Sequence, residues 1–127
     1  MRLISHSDAD IRELAANTAG TYLKLNEASE IFLQKINLQQ EKDQLVLGTI
    51  ASALSTLVIY RKVRKLEVNL ALASVVLNED FDPELRGTAY LSLLRINNKI
   101  TVREYAKSPC DLEQMNYDPK WVSSFSS

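Results

Sequence analysis

Apolar residues recur through most of the chain at the three-and-four-residue spacing of helices that bury one face, and no stretch alternates as a half-buried strand would. Ile11, Leu14, Ala15, Thr18, Ala19, Tyr22 and Leu23 form the first such stripe, in a helix that starts near Asp8 or Asp10, both competent caps. Further helices are predicted over 27–36, 43–60, 66–77 and 83–96, the last with Pro83 suited to a first turn. The third and fourth are apolar nearly all round, whereas the first is one-sided. That contrast is expected of a stack whose middle is covered on both sides and whose ends are not.

The run 45–60, followed by Arg61, Lys62, Arg64 and Lys65, resembles a membrane span with a basic flank. It is shorter than the roughly 20 residues a span needs, and Gly48, Thr49, Ser52, Ser55 and Thr56 dilute it. A helix sandwiched in a core is the expectation, with no membrane partner.

The chain also repeats itself. Ile11, Ala15, Ala19 and Tyr22 set a pattern that Val46, Ile50, Leu54 and Leu57 repeat 35 residues later, and Leu85, Ala89, Leu93 and Ile96 repeat a further 39 residues on. Such offsets suit one helix pair per unit. An Asp stands at or near each start, and an Arg follows the leading aliphatic in Ile11-Arg12 and Leu85-Arg86, where the middle unit has Leu47 instead. On these residues, 8–105 resembles HEAT-type helical repeats. The resemblance implies an all-α, short right-handed solenoid of about three helix pairs, and it gives Asp10, Arg12, Asp82 and Arg86 the structural task of linking neighbouring turns. The expected organisation is a repeat domain over 1–107 and an irregular tail over 108–127. Tyr117, Trp121, Val122 and Phe125 in that tail are costly to leave in water and are expected to dock on the last repeat.

Composition narrows the function. The 127 residues suffice for one core, and with three Gly and three Pro the chain reads as ordered and helical. The single Cys, Cys110, makes no internal disulfide, and the opening residues lack a secretory apolar run, so a cytoplasmic location is expected. One His, His6, and one Cys are too few for a zinc site or for the usual nucleophile and base. No Gly-rich phosphate loop exists, since Gly20, Gly48 and Gly87 stand singly in helices, where close packing is their expected purpose. No catalytic residue, cofactor or metal is expected.

A binding surface remains. The turns entering the inner helices are acidic: Asp8 and Asp10, then Glu41 and Asp43, then Glu79, Asp80, Asp82 and Glu84. The far ends are basic, with Lys24, then Arg61, Lys62, Arg64 and Lys65, then Arg95 and Lys99. Such charges complement helix dipoles, so capping and an interaction edge both account for them. The face opposite the core positions gives a second candidate, a trough holding Asn17 and Ser52 and walled by Leu91 and Leu94 unless the tail covers them.

Two function classes follow. In one, the acidic edge or trough binds a protein, most specifically as a bacterial inhibitor or immunity protein neutralising a basic toxin or nuclease. In the other, Arg61, Lys62, Arg64 and Lys65 bind nucleic acid, against which the net charge of -1 argues. A scaffold subunit of a larger assembly is the third, weaker alternative.

Overall fold

The computed structural model describes residues 2–62 and 64–126, without the side chains of Arg2 and Tyr22. Those residues are all-helical, with no strand among them. Helix α1, Ala9–Ala16, continues as a π-helical segment over Asn17–Tyr22. It is followed by α2, Ala28–Asn37, then α3, Gln44–Arg61, then α4, Lys65–Leu77, and then α5, Pro83–Ile96. The chain ends in two short helices, α6 over Val102–Lys107 and α7 over Pro119–Ser123, with 3-10 turns at Leu112–Gln114 and Ser124–Ser126.

Local chemistry sets these boundaries. Asp8 caps α1 by accepting the Asp10 N–H at 2.9 Å, and Asp43 caps α3 by accepting those of Leu45 and Val46. Pro83 opens α5 where its missing N–H is not needed. Thr101 and Glu104 cap α6 reciprocally. Lys24, Gln39 and Asn98 take the left-handed conformation just past three helix ends, and the next N–H returns to Ala19, Lys35 and Leu94 respectively.

Two rows of helices result. In the first row α1 packs on α3 and α3 on α5, and all run in one direction. Near their starts Arg12 meets Glu41, and Gln44 accepts the Asp82 N–H at 2.7 Å. Further along, Gly20 lies against Ala53. In the second row α2 packs on α4, and α4 on α7 with the turn after it. The rows are antiparallel to each other: Arg86 at the start of α5 donates to the Val76 carbonyl at the end of α4, while Asn97 at the end of α5 donates to Asn69 near the start of α4.

Helix α3 lies centrally and buries ten of its 18 residues. It is the one described helix long and apolar enough to cross a membrane, and its partners α1, α4 and α5 show what that composition does here. All eight repeat positions on α3 and α5 are buried, with Ile50, Leu54 and Leu93 at 0% exposure. The first helix departs from expectation, because Leu14, Thr18 and Leu23 face solvent. Ala16, Ala19 and Gly20 face inward instead, and their small size lets α1 approach α3 closely. The wider π turn shifts the stripe only from Asn17 onward, whereas Leu14 is exposed within regular α1 itself.

The tail carries short helical turns at Leu112–Gln114, Pro119–Ser123 and Ser124–Ser126 and is irregular over 108–111 and 115–118. Tyr90 on α5 packs edge-on against Tyr117 and Trp121, and Trp121 against Phe125. The Tyr90 hydroxyl accepts the Asp118 N–H at 3.1 Å. Burial pushes the Tyr117 hydroxyl above its ordinary pKa, against the opposing pull of the Arg86 guanidinium. The folded state therefore favours the neutral phenol, a contribution fully present below the unfolded value of about 10 and lost as pH rises through the higher folded one. Urea unfolding at alkaline pH should show this decline, and Tyr117→Phe should flatten it.

Candidate functional site

The parallel inner helices bring the acidic turns to one edge, but their side chains do different jobs. Asp8 and Asp43 are engaged as caps. Glu41 does not belong to an accessible edge: at 5% exposure it takes two hydrogen bonds from the Arg12 guanidinium, at 2.8 and 3.0 Å, and a third from the Asp43 N–H. Arg12 also donates to the carbonyls of His6 and Ser7, so one half-buried ion pair ties the N-terminal turn, α1 and the turn before α3 together. The bond to Glu41 raises the Arg12 pKa. Lys35 and Lys42 share a hollow with Glu41 and Asp80 midway along the edge. Exposed acid thus stands on either side of that hollow, with Asp8 and Asp10 on one side and Glu79, Asp82 and Glu84 on the other, Asp80 lining the hollow itself.

The trough between α1, α3, α5 and α6 is a groove of about 550 Å³. Its floor includes Gly48, Ser52, Leu85 and Leu91, and its rim carries Glu13, Asn17, Gln44, Leu45 and Glu84. Tyr105 of α6 closes one side, its hydroxyl 3.3 Å from that of Ser52 and its ring 5.1 Å from the Arg95 guanidinium carbon. The groove therefore brings Asn17, Ser52 and Leu91 together with Glu84 of the acidic edge. Two corrections apply to its apolar wall. Leu91 is 2% exposed and lies in the floor, whereas Leu94 packs against the core and lies outside the lining. The groove sits slightly round from the face read from the sequence, since Ser55 is buried with its hydroxyl on the Ser52 carbonyl and Gly87 lies under the tail. Gln44, Thr88 and Tyr105 were not expected; the first two continue the small and polar spacing of Gly48, Ser52 and Glu84 along α3 and α5.

Among the described residues no lysine, arginine or histidine lines the groove, and two carboxylates, Glu13 and Glu84, do. Its field therefore favours cationic groups, while apolar contact comes chiefly from the exposed Leu45, Leu85 and Leu91 being almost wholly buried beneath the floor.

At the opposite edge Arg61, Lys62, Arg64 and Lys65 are exposed. The Arg61 Nε donates to the Lys24 carbonyl at 2.8 Å, the Lys24 ammonium stands 4.9 Å from the centre of the Tyr60 ring, and Arg64 pairs with Glu67 and, at 3.9 Å, Glu30. Among the described residues, no three His, Cys, Asp or Glu side chains converge on a possible metal position. His6 is exposed, its Nδ1 accepting the Asp8 N–H, and Cys110 is exposed at the groove.

No protein-family model, curated protein or solved structure matches the chain.

Proposed function

We propose that the chain is a non-enzymatic protein-binding module, a short right-handed solenoid of about three HEAT-type helix pairs, that takes a basic segment of a partner protein into the groove between α1, α3, α5 and α6. The observation that carries the reading is the lining itself, with Glu13, Glu84 and the exposed Leu45 at the rim and, among the described residues, no cationic side chain. The repeat reading draws support from the two rows, antiparallel to each other, and from the equivalent burial of Val46, Ile50, Leu54 and Leu57 and of Leu85, Ala89, Leu93 and Ile96. In its most specific form the module is a cytoplasmic inhibitor or immunity protein that covers a basic toxin or nuclease, with Asp10, Asp80 and Asp82 steering the encounter.

A photo-crosslinking residue at Thr49, in the groove, tests this against the same residue at Gln34 on α2. Thr49 should capture a basic protein that Gln34 does not, and Glu13→Lys with Glu84→Lys should weaken that complex by tenfold or more, about 1.4 kcal/mol. Equal capture from both positions, or capture unaffected by the charge reversal, would remove the groove as the binding surface.

A further inference from the structure

The basic edge carries a feature that helix capping does not require. Four of its turns expose large apolar side chains: Leu23 beside Lys24, Tyr60 beside Arg61, Leu66 beside Lys65, and Val102 beside Arg103. Leu66 is 81% exposed, the highest value among the large hydrophobic residues. These turns adjoin one another. Lys24 lies over Tyr60, Tyr60 shares a hollow with Lys99 and Val102, and Lys62 and Lys65 share another with Asn98. Tyr60 and Val102 therefore stand with Lys24 and Lys99 at the ends of α3 and α5, Lys62 and Lys65 flank the neighbouring hollow, and Leu66 and Leu23 are exposed next in sequence to Lys65 and Lys24.

The charge on this surface is largely uncompensated. The ion pairs among the described residues are Arg12 with Glu41 and Arg64 with Glu30 and Glu67, which leaves Arg61, Lys62, Lys65 and Lys99 outside any such pair. Glu27 lies near this edge, and Glu104 is committed to capping Thr101. Lys62 and Arg64 both adopt left-handed backbone, φ 55° and 53°, a conformation glycine takes at lower cost. Long cationic side chains stand there instead.

We propose that this edge docks on an anionic lipid bilayer, with Arg61, Lys62, Lys65 and Lys99 against the headgroup phosphates and Leu66, Tyr60, Leu23 and Val102 reaching the acyl boundary. Exposed apolar side chains within a cationic cluster are the combination that holds proteins at a membrane surface. A nucleic acid would use the cations but leave the leucines and valine without a role. The surface is peripheral: α3 remains in the core and spans nothing. This departs from the expectation, drawn from the sequence, of no membrane partner. It stands independently of the groove, which opens on another face and stays accessible to a protein.

Vesicle sedimentation with the full chain tests the proposal, using phosphatidylcholine alone and phosphatidylcholine containing about a quarter phosphatidylserine. Binding should need the anionic lipid and fall with salt. Lys62→Ala with Lys65→Ala should lower partitioning by about 25-fold, about fivefold for each cation, and Leu66→Ala alone by about tenfold. Leu66 is too exposed for its truncation to disturb folding, and circular dichroism verifies this for each variant. Equal binding to both vesicles, or none to either, overturns the proposal. It is also overturned if Leu66→Ala leaves vesicle binding unchanged, or if a single-stranded oligonucleotide binds more tightly than the vesicles and the lysine pair weakens it alone.

Discussion

Leu54→Ala is expected to destabilise the fold by about 2 to 5 kcal/mol, measured by urea unfolding. Leu54 is fully buried near the middle of α3, the helix that touches both neighbours of its own row and both long helices of the other. Truncation removes the transfer energy of its methyl and methylene groups and opens a cavity that four helices would have to move together to close. The upper half of the range is favoured by this arrangement, because collapse from one side would pull α3 away from the other. A loss below about half a kcal/mol, within the range of ordinary surface substitutions, would mean that α3 is not the centre of the core.

The second large effect separates two glycines that look alike in sequence. An Ala in place of Gly in a helix interior normally stabilises by roughly 0.5 to 1 kcal/mol through the unfolded state. At Gly48 the added methyl would meet nothing nearer than the Leu85 Cδ1 at 3.9 Å, so Gly48→Ala should show that gain. At Gly87 it would stand 2.7 Å from the Asp111 nitrogen and 2.9 Å from the Cys110 carbonyl carbon and the Leu112 nitrogen, which are backbone atoms with no rotamer to yield. Gly87→Ala should therefore lift the tail off α5 and expose Leu112 and Val122, each worth about 1.5 to 3 kcal/mol in burial. The net change should be a loss of about 2 kcal/mol or more, with Trp121 fluorescence shifting to the red. Gains at both positions would show that the tail does not cross α5 at Gly87.

The middle of the fold was readable from spacing because α3 and α5 are regular helices with neighbours on both sides. Their repeat positions are no more than 5% exposed. The first helix was misread at two places: Leu14 is exposed within regular α1, and from Asn17 a π-helical segment changes the period without any single residue announcing it. Glu41 was misplaced for another reason: its partner Arg12 is 29 residues away, and a carboxylate in a polar turn looks alike whether it faces water or a guanidinium. The small and polar lining of the groove was visible through Asn17 and Ser52. Its outer side was not, since Tyr105 belongs to a helix of six residues that lacks a long apolar stripe.

The position of α7 has a consequence for how the chain emerges from the ribosome. Every other neighbour in the two rows begins within about 30 residues of the helix it packs on, but the outer face of α4 waits for α7 and the turn after it, more than 40 residues further on. Synthesis proceeds at roughly 5 to 20 residues per second. For some seconds, then, the nascent chain carries the α4 surface and the Tyr90 ring without their aromatic cover, and this is when the protein is most open to aggregation or to a chaperone. That surface closes only once Trp121 and Phe125 have been made and can pack on Tyr90 and α4.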